Sequence, residues 1–295
     1  MPEIDLHLHS TASDGTCSPM ELVRMSAKMG LSAIAIADHD TVAGVLELRG
    51  QELPPGLELV PAIEIGSHFL ERSLHILGYF INPLNDGLRQ FMDWKLDARR
   101  ARAEEIVRKL SAGGIPIDMD AVLEVAAGGA LGRAHIARVL VERGAASSVN
   151  EAFDLYLKRR SPYFVPMMNP DPFEAIALIR AAGGVASLAH PIFLRDSFLQ
   201  EVLPMLLDAG LQAIEVLYGF DPDFGLTVEE HLHRCSEISG LAAAYGLART
   251  GGSDFHGAAV KYQSIGSAHV PLSFLEELKS RHRGGLYGNS ADCTD

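Results

Sequence analysis

Five short segments of this chain place acidic and imidazole side chains at the end of an apolar, strand-like run. They are Asp5-Leu6-His7-Leu8-His9, Asp38-His39-Asp40, Glu64, Ala189-His190-Pro191 and Ser253-Asp254-Phe255-His256. A barrel gathers strand ends on one rim, so such segments would converge there on a single polar site. The first segment shows the logic. Ile4, Leu6 and Leu8 alternate with Asp5, His7 and His9, and residues i and i+2 of a strand share a face. His7 and His9 can therefore grip one cation. His231 and His233 have the same spacing, but they fall in an expected helix, Val228 to Ser239. There i and i+2 do not face each other, and the pair reads as ordinary surface histidines.

At 295 residues and 47% apolar composition the chain can bury a large core without disulfides. Cys17, Cys235 and Cys293 are odd in number and far apart, which suits a reducing compartment and a cytoplasmic location. The N-terminus lacks the basic and apolar regions of a signal peptide, and no apolar run is long enough to span a membrane. The net charge of −13 argues against passive coating of DNA or other nucleic acid. It is unevenly spread: residues 85–168 carry 13 basic against 11 acidic side chains, the remainder 12 against 27. A comparatively basic segment could face an anionic substrate, or form a solvated helical surface.

Short apolar strands, expected near 3–9, 32–37, 57–63, 74–80, 185–189, 212–217 and 246–251, alternate with helices near 18–29, 41–50, 172–182, 198–209 and 228–245. Ser18-Pro19 and Gly30 bracket the first helix as cap, first-turn proline and stop. This alternation predicts parallel strands and right-handed crossovers. Seven strands give an α/β fold, a distorted seven-stranded (β/α)7 barrel. Residues 85–168 break the rhythm with helical patterns at 90–112, 132–144 and 150–157. The expected organisation is a metal-binding barrel over 1–84 and 169–283, an inserted helical subdomain over 85–168 serving as lid or substrate element, and a loose tail over 284–295.

The candidate ligands in chain order are His7, His9, Asp14, His39, Glu64, His75, His190, Asp254 and His256. All but Asp14 and His75 sit at expected strand ends. His75 lies near the start of its strand, where periodicity alone would not select it. Taken together and in this order, these motifs resemble the PHP (polymerase and histidinol phosphatase) family. Within it they are most similar to bacterial nucleoside 3′,5′-bisphosphate phosphatases and 5′–3′ exoribonucleases. The resemblance spans nearly the whole chain, including Gly132-Arg133-Ala134-His135. It implies three divalent cations: one on His7, His9, Glu64 and Asp254, a second on Glu64, His75 and His190, and a third on Asp14, His39 and His256. Nitrogen and oxygen donors without thiolate suit Mn, Fe or Zn, with Mn the expectation. Asp5, Asp38 and Asp40 could orient ligands, and Asp40 could equally cap the following helix.

The implied reaction is hydrolysis of a phosphate ester of a small nucleotide or an RNA 5′ end by water activated on the metals. His190 counts among the catalytic residues. Arg133 and His135 are candidates for substrate phosphate, and His135 for proton donation to the leaving group. Lys158-Arg159-Arg160 could meet a second phosphate or remain solvated. Two stretches depart from the relatives: Ile192-Phe193-Leu194 stands where they carry Gly-Arg-Tyr, and Ser161 and Phe164 where they carry Lys and Tyr. Phe164 and Phe193 could stack on a base or fill core. Alternative readings are a histidinol-phosphate phosphatase, an amidohydrolase (no Lys stands at an expected strand end to make the usual bridge) and a non-catalytic metal-binding module of the PHP type.

Overall fold

The computed structural model describes residues 3–222, 225–257 and 264–287, the last four as backbone only. Strands β1 (Glu3–Leu8), β2 (Ala33–Ile36), β3 (Glu58–Phe69), β4 (Arg72–Tyr79), β5 (Val185–Leu188), β6 (Ala213–Tyr218), β7 (Ala248–Gly252) and β8 (Val270–Pro271) form one mixed sheet in the order β7-β6-β5-β4-β3-β2-β1-β8. Its ends nearly close. The His9 amide donates to the Phe255 carbonyl at 3.0 Å, and Leu8 bridges Phe255. Glycine makes this closure possible: a Cβ on Gly252 would lie 2.4 Å from the His7 Cβ, so no larger residue fits.

Helices α1 (Pro19–Lys28), α2 (Ala43–Glu47), α7 (Pro172–Ala181), α8 (Asp196–Asp208), α9 (Val228–Ala244) and α10 (Leu272–Tyr287) connect the strands, while α3 (Asp86–Ala112), α4 (Met119–Ala126), α5 (Arg133–Glu142) and α6 (Val149–Ala152) lie between β4 and β5. The cap expected for α1 is present. The Ser18 hydroxyl accepts from the Glu21 amide, and the Glu21 carboxylate accepts in return from Ser18. Ile106, Leu110, Val122, Ile136 and Leu140 give α3–α5 an apolar cluster of their own. Each such side chain contributes roughly 1.5–3 kcal/mol on burial. The barrel core, around Ile4, Ile63, Ile76 and Leu188, is separate.

Two expectations need correction. The strands are not all parallel: β4 runs antiparallel to both β3 and β5, and β8 to β1. β3 and β4 form a hairpin whose two linking residues, Leu70 and Glu71, both take left-handed backbone angles. Leu-Glu carries none of the Asn-Gly chemistry that announces such a turn. The described residues hold eight strands, not seven, because a two-residue piece pairs with β1; it is too short for periodicity to register. The expected loose tail begins inside α10, and residues 288–295 lie outside the described residues.

Candidate metal centre

Glu64 is the hub of the barrel rim. It lies within β3 with no solvent exposure, and its two oxygens face different histidines. Oε1 is 2.8 Å from His75 Nδ1 and 3.0 Å from His190 Nε2. Oε2 is 2.7 Å from His39 Nδ1, 3.3 Å from His9 Nε2 and 3.5 Å from His7 Nε2. Asp254 completes the inner group, with Oδ1 at 3.0 Å from His9 Nε2 and 3.4 Å from His7 Nε2. Asp14 and His256 approach each other at 3.4 Å on the far side of His9. The antiparallel turn explains His75. Because β4 runs backwards, its beginning lies on the rim where the parallel strands end, and His75 pairs with Gly66, two residues past Glu64.

All nine sequence-selected side chains therefore meet. The donor atoms of eight of them form three overlapping groups: His7, His9 and Asp254; His39, Glu64 and His75; and His9, Asp14, His39 and His256. The second group contains His39 where the resemblance implies His190, although His190 also touches Glu64. The fit to cations can be tested on the buried donors. His7 Nε2, both His9 nitrogens, Glu64 Oε2, Asp14 Oδ1 and Asp254 Oδ1 are buried and crowd one another, yet none makes a hydrogen bond of proper geometry. Buried polar atoms are rarely left unpaired. Six converging on one rim match a donor set made for metal ions.

The charges are mutually dependent. Burial alone would raise the Glu64 carboxyl, but His39, His75 and His7 hold it well below the ordinary range. Burial likewise opposes ionisation of Asp254 and Asp14, and His7 and His256 respectively outweigh it.

A shell of carboxylates fixes this arrangement. Asp38 accepts from the Ser10 amide and hydroxyl and from Ser13, pinning the loop that carries Asp14. Asp5 accepts from the Ser253 amide and hydroxyl and from the Gly266 amide, beside Asp254. Asp40 does not cap α2, whose first turn has no side-chain cap. It accepts instead from the Gly66 amide, from Lys95 at 3.2 Å and from Arg99. Sequence reasoning passes over Glu215 and Tyr218. Glu215, nearly fully buried on β6, bonds His7 Nδ1 at 3.0 Å, and Tyr218 donates to Asp254 at 2.7 Å. A single acidic residue inside Ala213-Ile214-Glu215-Val216-Leu217 is the one signal that could have found the first of them.

A cavity of about 530 Å³ opens over the rim. Asp14, His39 and His75 form part of its floor; Arg99, Arg102, Arg133, Lys158 and Arg159 belong to its other walls. Arg133 donates to the Leu157 carbonyl at 3.1 Å and lies over the Phe153 ring. Arg102 donates to the Val165 carbonyl at 2.8 Å, over Phe164. Burial, then repulsion from Arg133 and Arg99, lowers Arg102 to about 9, so it stays charged at neutral pH. Lys158 and Arg159 are paired with Asp154 and Glu71. His135 is outside the cavity lining. It is buried, its Nδ1 accepts from the Gly132 amide at 3.0 Å, and it also bonds the Ser13 backbone. Burial lowers it to about 4, so it is neutral at pH 7. His231 is not on the surface: it is buried and bonds the Tyr218 carbonyl, whereas His233 is exposed. Phe193 is partly exposed and packs edge-on to Tyr218 beside His190.

The PHP domain profile matches residues 5–158. A 5′-3′ exoribonuclease Rnm from Salmonella typhimurium is 33% identical over 256 residues, covering 85% of this chain and 84% of that protein. A 3′,5′-nucleoside bisphosphate phosphatase from Chromobacterium violaceum is 28% identical, covering 87% and 88%. Among solved structures, a protein from Bifidobacterium adolescentis assigned as a metal-dependent phosphoesterase superposes with a TM-score of 0.83 at 32% identity, covering 95% and 96% of the two chains.

Proposed function

Because the chain belongs to the PHP domain family and is a metal-dependent phosphoesterase, we propose that it hydrolyses a nucleoside 3′,5′-bisphosphate, or the closely related 5′ end of a short RNA. The observation that carries this reading is the polarity of the cavity: an acid-and-imidazole floor beneath two arginines, Arg102 and Arg133, that carry no carboxylate of their own. Among the described residues no carboxylate lies within ion-pair distance of Arg102 or Arg133. Such half-buried guanidiniums suit a phosphate beyond the reacting one. A volume near 530 Å³ matches a mononucleotide better than a long polymer. The charge pattern also argues against a histidinol phosphate, which carries one phosphate, and against an uncharged amide.

The proposed metal count is three, with Mn preferred, on the nine residues already named. Such cations, when bound, lower the pKa of water and neutralise phosphoryl oxygens. The protein's own part is to orient and exclude. Glu64 spreads its two oxygens between two histidine groups, so that their lone pairs converge. His7, His9 and Glu64 form a dry base, while the edges of His39 and His75 reach the cavity. Arg133 holds substrate phosphate. His135, neutral and hydrogen-bonded on both sides, holds the Gly132 turn against the Ser13 loop and so positions Asp14; proton donation is a poor role for it. The insertion over 85–168 acts as the substrate-facing roof. No helix among the described residues is long and apolar enough to cross a membrane. The free thiols of Cys17 and Cys235 support a cytoplasmic location.

The test is phosphate release with added Mn²⁺ from adenosine 3′,5′-bisphosphate, a short 5′-phosphorylated RNA and histidinol phosphate, with His190→Ala as control. Release from the first two that disappears in the variant supports the proposal. Preferred release from histidinol phosphate would replace it.

A further inference from the structure

Glu215 has two hydrogen-bond partners, and both are candidate ligands. Its Oε1 lies 3.0 Å from His7 Nδ1, and its Oε2 accepts from the backbone amide of His190 at 2.6 Å. The two histidines lie 183 positions apart, on β1 and just past β5. They also face different oxygens of Glu64: His7 Nε2 is 3.5 Å from Oε2, His190 Nε2 3.0 Å from Oε1. The backbone of His190 is left-handed, with φ 31° and ψ 52°. That geometry costs a residue with a side chain on the order of 1 kcal/mol or more and persists only where the surroundings hold it.

β6 is shaped to deliver this side chain. Its pairing with β7 shifts register between Glu215 and Leu217. The bulge lets two residues three apart, Glu215 and Tyr218, both serve the rim, where strict alternation would send them to opposite faces. Among the described residues no lysine or arginine pairs with Glu215; its one ion-pair partner is His7. A buried carboxylate with no permanent cation beside it is expensive unless positive charge gathers close by.

We propose that Glu215 is a positioning residue for the metal centre. One oxygen fixes the tautomer of His7 and the other fixes the turned backbone of His190, so one buried side chain aims the lone pairs of two ligands. With its proton on Nδ1, held by Glu215, His7 presents a bare Nε2 to Glu64 and Asp254. The demand on residue 215 is specific: both neighbours are donors, so both of its atoms must accept. A glutamine has the right shape but one acceptor and one donor. If its oxygen takes the His190 amide, its NH₂ faces His7 Nδ1. The ring proton then moves to Nε2, and the lone pair the centre needs is gone.

This inference rests on reading the cluster as a metal centre, and the experiment separates the two. Wild type, Glu215→Gln and Glu215→Asp are compared by Mn²⁺ titration and metal content after dialysis. The His7 tautomer is read from ¹⁵N-histidine spectra of the chelator-treated proteins at alkaline pH, where the ring carries a single proton. E215Q is expected to bind Mn²⁺ about 10–100-fold more weakly, as losses of ligand-orienting partners do, and to place the His7 proton on Nε2. E215D keeps two acceptors and should retain more metal than E215Q. A residue that only fills space gives the opposite order, because Gln preserves volume and Asp does not. E215Q with wild-type metal affinity and an unchanged tautomer would overturn the proposal. If wild type itself binds no divalent cation, the metal reading fails, and the tautomer in the metal-free proteins still decides whether Glu215 sets His7. If E215Q does not fold, the E215D spectrum decides alone: His7 protonated on Nδ1 supports the proposal, and on Nε2 overturns it.

Discussion

The floor and the roof of the cavity are built in opposite ways. On the floor, Glu64 faces five histidines and Asp254 three, and behind them Asp38 accepts three hydrogen bonds and Asp5 four. On the roof, Arg102 and Arg133 are each held by one backbone carbonyl and one aromatic face. An over-determined floor fixes where the chemistry happens. A lightly tethered, uncompensated roof leaves its charge for a ligand. On the proposed reading, the family's reaction stays with the barrel and substrate choice rests with the insertion.

The strongest way to break this contrast is Glu64→Gln. It removes the one charge shared by both histidine groups, and the floor should lose its function outright. Phosphate release is expected to fall on the order of 10³-fold or more, with loss of bound metal measured on the same sample. An active, metal-replete variant would show that the floor does not depend on its hub.

Asp40→Asn attacks the seam. Asp40 is buried, and burial raises its carboxyl, but Arg99 and Lys95 hold it below the usual range. Lys95 is fully buried. Without the carboxylate both cations remain in place unpaired, which costs roughly 3 kcal/mol. Melting should drop by about 6–12 °C on the scale for a chain of this size. A rise in KM larger than the fall in kcat would show that the roof, not the floor, came loose.

Acid should loosen the same seam from the other side. His135 is neutral in the fold because burial lowers it to about 4 from an unfolded value of 6.5. Between those values the unfolded chain binds the extra proton, so stability rises with pH across the window and falls as pH drops from 6.5 towards 4. Near pH 5 the loss is about 2 kcal/mol. His135→Asn, which cannot titrate, should flatten this part of the stability–pH curve, read by denaturant melts in chelator.

The floor is far more legible in the sequence than the roof, for a physical reason. Ligand residues on strands inherit the two-residue period, so His7-Leu8-His9 announces a shared face by its spacing alone. His75 escapes that logic because it depends on a hairpin whose turn, Leu70-Glu71, has no turn chemistry. Glu215 escapes because a bulge, invisible to alternation, aims it. The insertion hides more. Helix α4 has no counterpart among the expected helices, and the functions of Arg99 and Lys95 depend on reaching Asp40, which no local pattern encodes. His135 has the motif's spelling, but its Nδ1 accepts from the Gly132 amide and it lies outside the cavity lining, which no local pattern announces.

The smallest expected effect is also the one that most sharpens the comparison. Arg102→Ala removes a guanidinium that touches no candidate metal ligand. If the roof selects substrate and the floor performs chemistry, the loss falls on binding alone. KM for adenosine 3′,5′-bisphosphate should rise about 10–30-fold, the lower part of the range for one charge-assisted hydrogen bond to phosphate, with kcat within about twofold. A mononucleotide with a single phosphate should lose little, because the missing contact belongs to the phosphate it lacks. The advantage of the bisphosphate in kcat/KM should therefore shrink in the variant, and its salt dependence with it. An equal loss of kcat on both substrates would mean that Arg102 acts on the reacting phosphate, and the division between floor and roof would have to be redrawn with α3 as part of the catalytic surface.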